Sequence, residues 1–400
     1  MITTFYPPYH FGGDAVYVQQ LGNELAARGH EVHVIHCRDA FAIGAEAPHP
    51  TRPDHSNVHV HSLHGPGTWP SPLLTHQTGR LGFKRRAVER ILDEHDFDVI
   101  HYHNVSLVGA LDLFGLGDAV KLLTLHDYWL VCPTHVMFRN RTAACTEPHC
   151  FRCQLSYRRP PQLWRSQAAI QRAVRQLDRV LVASRFTGKL HRERGVDLPA
   201  EWLPLMSSPL DSGPSPAQRA PAHPKPYVLF VGRLVRLKGV QDLIPFFREQ
   251  SGLDLLIAGT GEYEAELREQ ARGAGNIHFL GHCDRARLAP LYRGAIATAI
   301  PSLTYEISPI VLGESWSCRT PVVARNIGAL GEFVERSGGG LRFDTAAELA
   351  EKLQALAANR DERDRLGDNG YRAWQRDWLP DNNLPRYLSI IEAVRREKHA

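Results

Sequence analysis

Short apolar runs alternate with stretches of helical periodicity on both sides of a proline-rich segment, and this alternation is the pattern of a doubly wound α/β unit built twice. The runs predict strands at 32–37, 99–103, 122–125 and 180–183 in the first half, and at 228–231, 255–258, 277–280, 295–300 and 321–324 in the second. They are short and apolar throughout, as parallel strands covered on both faces are. A chain of 400 residues exceeds one ordinary core and suits two domains of roughly two hundred. The expected division is a first domain at 1–205, a linker at 206–226 with six prolines (209, 214, 216, 221, 224 and 226), a second domain at 227–380, and a final helix at 381–400 that crosses back to the first. Met1 to Phe5 is short for a central strand, so the true start is expected upstream. Ligands of such sheets bind beyond the carboxyl ends of the strands, which predicts an active site in a central cleft between two facing sheets.

The chemistry-bearing residues lie at those strand ends. Tyr227 to Val231 runs into Gly232-Arg233 and then Lys238-Gly239, read as strand, glycine turn and a helix begun near Gly239. Free backbone N–H groups at such a corner, together with a guanidinium and an ammonium, suit a diphosphate: Arg233 forks onto two oxygens and Lys238 supplies a point charge. Pro301-Ser302 opens a second corner, with Glu306 in the loop and Glu314 about one turn into a helix begun at Pro309. Read alone, these are two solvated glutamates. Beside the cationic corner they become a pair that can face one ligand.

The order Gly232-Arg233-x4-Lys238-Gly239, Ile257-Ala258-Gly259-Thr260-Gly261, Phe279-Leu280-Gly281, Pro301-Ser302-x3-Glu306-x7-Glu314 and Thr320-Pro321-Val322-Val323-Ala324 resembles the C-terminal half of the family 4 retaining glycosyltransferases. Tyr6-Pro7-Pro8-Tyr9-x2-Gly12-Gly13, Asp98-Val99-Ile100-His101-x-His103 and Thr124-Leu125-His126-Asp127 are similar to the N-terminal half. The resemblance implies the α/β GT-B fold, two Rossmann-like doubly wound domains facing a central cleft. It implies a nucleotide-sugar donor, a UDP-sugar first, with Arg233 and Lys238 on the diphosphate, Glu306 on the donor sugar and Glu314 on the ribose hydroxyls. Gly12 and Gly13 would let a loop approach the donor, Gly259 and Gly281 would line its site, and His126 would sit near the anomeric carbon. Catalysis would retain the anomeric configuration without a metal. The chain departs from the family in having Ile307-Ser308-Pro309 where small residues follow the first glutamate, and Leu205-Met206-Ser207-Ser208-Pro209 where an Asn-Gly pair is usual.

Two features stand outside this pattern. Cys132, Cys145, Cys150 and Cys153 gather four of seven cysteines in an insertion at about 130–165. Zinc is the first expectation, with an iron-sulfur cluster or free thiols as alternatives, and His135 or His149 able to replace one cysteine. The metal would brace a long basic loop and take no part in catalysis. From 139 to 194 there are thirteen Lys and Arg against three Asp and Glu. A helix at 162–178 would carry Arg165, Arg172, Arg175 and Arg179 either as a solvated face or as a peripheral surface for anionic lipid or a lipid-diphosphate acceptor. Nucleic acid is excluded, because no base-stacking or groove-reading module accompanies the charge. No apolar run approaches the ~20 residues of a membrane span and no signal segment opens the chain, so the expected location is cytoplasmic, with membrane contact at most peripheral. The histidine-rich segment at 49–76 is read as loop.

A sugar, lipid-linked or small-molecule acceptor fits this reading. Rivals are a phosphorylase or nucleotide-sugar epimerase of the same fold, and a zinc-braced binding protein without catalysis. A nicotinamide dehydrogenase is disfavoured, since no Gly-x-Gly-x-x-Gly follows the first strand.

Overall fold

The computed structural model describes residues 1–44, 47–48, 53–67, 69–210 and 222–400. Residues 211–221, most of the expected linker, lie outside them. The strands in chain order are β1 (Val32–Cys37), β2 (Val58–Leu63), β3 (Val99–Tyr102), β4 (Val120–Thr124), β5 (Phe138–Arg139), β6 (Ala143–Ala144), β7 (Arg179–Val182), β8 (Ala200–Trp202), β9 (Tyr227–Val231), β10 (Asp254–Ala258), β11 (Ile277–Gly281), β12 (Ala297–Ile300), β13 (Val322–Arg325) and β14 (Gly340–Phe343). Two compact units divide the chain: Met1–Val136 with Cys150–Met206 and Leu384–Ala400, and Met137–His149 with Ser207–Asn383.

In the first unit, β3, β4, β7 and β8 form a parallel sheet, and β1 pairs with β2 in parallel. Ile2 bridges both Ile35 of β1 and Tyr102 of β3, so the short N-terminal segment joins the two sheets. β1 is buried along its whole length, which explains its unbroken apolar and histidine character. The end of the last helix, Pro380–His399, buries Leu384, Tyr387, Ile391 and Val394 among Tyr6, Tyr17, Val34 and Leu122.

The second unit is one parallel sheet of six strands in the order β11-β10-β9-β12-β13-β14. Every residue of β10 and β12 is buried, as expected of central strands with helices on both faces. The loops leaving β9, β10, β11 and β12 are stitched together by backbone hydrogen bonds, from Gly232 N to Ala258 O (3.0 Å), Leu234 N to Thr260 O (2.9 Å), Gly259 N to Gly281 O (2.8 Å) and Leu303 N to Leu237 O (2.8 Å). A Cβ on Gly259 would overlap the Gly232 carbonyl oxygen, and one on Gly239 would overlap the Pro301 carbonyl oxygen. These glycines therefore let neighbouring loops touch backbone to backbone. The β5–β6 hairpin belongs to this unit, where Arg141 reaches Glu262 at 3.1 Å.

Three sequence expectations are corrected. The helix begun near Gly239 is replaced by turns at Arg236–Lys238 and Val240–Asp242 and a five-residue helix, Ile244–Arg248. Gly239 takes φ +76°, a left-handed conformation that ends the first turn. The loop at 49–76 contains β2 and the start of a helix, Pro70–Thr78, because valine and histidine alternate from Val58 to His61 as in an edge strand. The helix at 162–178 shortens to Gln167–Val174, capped by the Ser166 side chain, which accepts from Ala169 N at 3.1 Å. Its basic face is broken up as well. Arg165 is half-buried, packs against the Trp129 and Trp164 rings and donates to the Trp129 carbonyl, while Arg179 pairs with Glu397 at 2.5 Å.

Candidate functional site

On the second unit, Lys238 Nζ donates to Glu306 Oε1 at 2.7 Å, and Ser302 Oγ donates to the same oxygen at 2.7 Å. The turn before Gly239 delivers the ammonium, and the loop leaving β12 delivers the carboxylate. Their side chains are 25% and 14% exposed, so the pair is open to a ligand yet partly shielded from water. Burial opposes the Glu306 charge, but the Lys238 ammonium, the two hydrogen bonds and the nearby Arg233 guanidinium hold its carboxyl below the usual range. Arg233 itself is exposed.

Glu314 lies in the helix Ile310–Ser317, which starts after Pro309 as proline favours. Its Oε2 accepts from the Tyr292 hydroxyl at 2.9 Å and Oε1 lies 3.6 Å from Arg285 Nη1. With a side chain only 10% exposed, burial outweighs both partners and raises its pKa, and burial beside the carboxylate also pushes the Tyr292 hydroxyl far up. The two glutamates thus sit in opposite electrostatic settings, one charge-paired and one desolvated. Tyr292 and Arg285 were not singled out by the sequence, and Ser302 entered only as part of the Pro301-Ser302 corner, without a role. Only the pairing reveals them, since a serine or tyrosine at a strand or helix end carries no signal of its own.

On the first unit, Gly12 and Gly13 stand at the start of the helix Gly13–Ala26, with Gly12 at the cap position, extended and exposed. Asp14 in the first turn accepts from Asn104 at 3.1 Å. His126 follows β4, and its Nε2 shares a hydrogen with His103 Nδ1 at 3.0 Å, beside the Tyr17 ring at 5.2 Å. Burial lowers the pKa of His126, against the pull of Asp14 and Asp127, and lowers His103 still further, so both rings are neutral at pH 7. His103 Nε2 is buried without a hydrogen-bond partner.

The cysteines do not assemble as expected. Cys132, Cys150 and Cys153 fall in the first unit and Cys145 in the second, and among the described residues none of them joins a group of three ligand atoms within 4.8 Å of one another. Cys132 is buried with its Sγ 3.3 Å from Thr134 Oγ1, Cys145 Sγ faces the Glu147 carbonyl at 3.6 Å, and Cys150 is exposed. Although Cys150 is exposed, partial desolvation raises its thiol, and the neighbouring Cys132 and Cys153 add to this. The start of the insertion is tied instead to the segment before it, where Asp127 accepts from His135 Nδ1 (2.8 Å) as well as from Trp129 N (2.7 Å).

Two parallel-sheet α/β units, with charged groups gathered at one strand-end edge of the second, are the architecture of the GT-B glycosyltransferases. Residues 11–204 match the model of Glycosyltransferase Family 4, and residues 213–373 match that of glycosyl transferases group 1. The chain belongs to the family 4 glycosyltransferases. An uncharacterised glycosyltransferase of Methanocaldococcus jannaschii is 26% identical over 362 residues, covering 85% of this chain and 83% of that one. Sucrose-phosphate synthase from Thermosynechococcus elongatus has the same fold, with a TM-score of 0.75 at 22% identity over 99% of this chain and 98% of its own. So does Anabaena HepE in complex with UDP-glucose, with a TM-score of 0.64 at 17% identity over 97% and 98%. No helix among the described residues is long and apolar enough to cross a membrane.

Proposed function

We propose that this glycosyltransferase moves a sugar from a UDP-sugar to a hydroxyl of a glycan, lipid-linked or small-molecule acceptor, with retention of configuration and without a catalytic metal. The observation that carries the reading is the Lys238–Glu306–Ser302 cluster, which puts a fixed cation and a sugar-binding carboxylate at one loop edge with Arg233 beside them. As the glycosidic bond to phosphate breaks, negative charge builds on the leaving diphosphate. Lys238 and Arg233 would neutralise it, the task a divalent ion performs elsewhere. Glu306, held ionised, would accept hydrogen bonds from donor-sugar hydroxyls, and Glu314 from those of the ribose. Gly12, Gly13, Gly259 and Gly281 would leave room for donor phosphate and sugar where side chains would intrude. His126, neutral at pH 7, would exchange hydrogen bonds with a sugar hydroxyl rather than present a charge. UDP-glucose in the HepE complex supports the choice of uridine.

The test is a thermal-shift panel of UDP, GDP, ADP and dTDP, each with and without magnesium. A shift for UDP that magnesium does not change is the expected result, followed by product NMR showing the donor's anomeric configuration. A magnesium-dependent shift or an inverted product would overturn the mechanism. Release of free sugar phosphate, or isomerisation of the donor without acceptor, would favour the phosphorylase or epimerase reading.

Glu314→Gln separates nucleoside binding from folding. The raised pKa means that Glu314 favours the folded state below the unfolded carboxylate value of about 4.3, and that this contribution is lost as pH rises through its folded pKa. Once ionised, the carboxylate is a net cost to folding. The amide should leave the melting temperature unchanged or higher, and weaken UDP binding by about 10- to 100-fold, the worth of hydrogen bonds to a charged acceptor. Calorimetric titration with UDP checks this, and unaltered affinity would remove Glu314 from the ribose site.

A further inference from the structure

Four histidines and a glutamate crowd one face at the edge of the first unit's sheet, far in sequence from the residues assigned above. The parallel register sets His33 of β1 opposite His59 of β2, and Ile35 opposite His61. With a side-chain period of two, Glu31 just before β1 and His33 within it share a face with His59 and His61 of β2. His95, just after the helix Arg85–Asp93, closes over them with its ring centroid 4.2 Å from that of His33.

His33 Nδ1 lies 2.9 Å from His61 Nε2, and one ring nitrogen from each of His33, His61 and His95 falls within 4.8 Å of the others. The opposite nitrogen, His33 Nε2, is 3.0 Å from Glu31 Oε1, which also lies 3.6 Å from His59 Nε2. A proton on His33 Nε2, held by Glu31, leaves the Nδ1 lone pair pointing at the other imidazoles. That is the carboxylate–histidine–metal relay found behind metal-ligating imidazoles. An edge strand needs none of this for packing. Val60 beside these histidines is exposed, and threonine or lysine would serve the same positions.

We propose that His33, His61 and His95 bind one divalent transition-metal ion, with Glu31 orienting His33 and a water completing the coordination. Three imidazole nitrogens select zinc, nickel, cobalt or copper over magnesium and calcium. Tetrahedral coordination at about 2.0–2.1 Å per nitrogen needs donors about 3.3 Å apart. The His33–His61 separation of 2.9 Å has to open by a few tenths of an ångström. The bound ion would tie β2 and the 95–97 turn to β1.

Tag-free protein is titrated with zinc and, separately, magnesium, reading stoichiometry by calorimetry and stability by thermal shift. One zinc per chain, a raised melting temperature and no response to magnesium are expected. The double variant His61→Gln/His95→Gln should lose the ion and the shift, and Glu31→Gln should bind about 10- to 100-fold more weakly. The double variant His223→Gln/His278→Gln, which removes the two histidines that flank Asp254 in the second unit, should bind as the parent does. Equal binding by parent and His61→Gln/His95→Gln, or loss only in His223→Gln/His278→Gln, overturns the proposal. If the first double variant does not fold, the visible spectrum of the cobalt-loaded parent decides: intense tetrahedral bands support the site, and the weak spectrum of octahedral cobalt rejects it.

Discussion

Lys238→Ala is expected to lower sugar transfer by about 10²- to 10³-fold, the loss seen when one preorganised donor to a developing anion is removed. Two effects have to be separated, because Lys238 also holds Glu306. Without the ammonium, a carboxylate that is 14% exposed loses its charge partner while keeping the Ser302 hydrogen bond, and the cost in stability is about 1–3 kcal/mol. The pH dependence identifies that cost. In the parent, the depressed Glu306 pKa contributes stability above the unfolded carboxylate value of about 4.3, and this is lost as pH falls through the folded pKa. Removing Lys238 leaves burial as the dominant influence on Glu306, so the variant's stability should fall less steeply in acid than the parent's. The double variant Lys238→Met/Glu306→Gln removes both charges and should recover most of the stability while regaining none of the turnover. Denaturant midpoints from pH 3 to 7, set beside initial rates at pH 7.5, test the two halves independently. Activity within a factor of two of the parent in a folded Lys238→Ala protein would end the assignment of Lys238 to the leaving group.

The strands of the second unit were legible in the sequence because β9, β10 and β12 are buried on both faces and so carry short, predominantly apolar runs. β2 was not, because its pattern of valine, histidine and serine belongs to an edge strand, and three of its six residues, His59, His61 and Ser62, share the composition of the loop around it. The charged residues at the strand ends were readable by spacing. The pairing of Lys238 with Glu306 was not, since it depends on two loops 68 residues apart in the chain meeting at one edge. The cysteine cluster misled for the opposite reason. Proximity in sequence suggested a common ligand set, but Cys132 is buried beside Thr134 whereas Cys150 is exposed on a separate helix, Cys150–Ser156. Arg165 shows the same limit: helical periodicity placed it on a face read as solvated or lipid-facing, whereas it packs against the Trp129 and Trp164 rings, and desolvation drives its pKa down to about 10.

Gly239→Ala should damage both stability and turnover, although the substitution adds one methyl group to a residue that touches no substrate in the proposed mechanism. Gly239 has φ +76°, which costs an L-residue about 1–2 kcal/mol. Its Cβ would also strike the Pro301 carbonyl oxygen, a backbone atom at the end of β12 that cannot swing aside as a side chain can. The total expected is about 3 kcal/mol, lowering the melting temperature by about 6–12 °C for a unit of this size. Relief of the clash has to move either the turn that carries Lys238 or the loop that carries Glu306, and a displacement of about 1 Å in such a pair costs about 10²-fold in rate. Gly273→Ala supplies the comparison. That glycine has φ +82° but nothing within 4 Å of its would-be Cβ, so it suffers the strain without the collision. It should lose about 1–2 kcal/mol and keep its activity. If Gly239→Ala behaves like Gly273→Ala in both measurements, contact between the two loops does not set the site. If Gly239→Ala alone loses turnover under conditions where both variants are folded, the glycine serves catalysis by letting the Lys238 turn and the Glu306 loop meet at van der Waals distance.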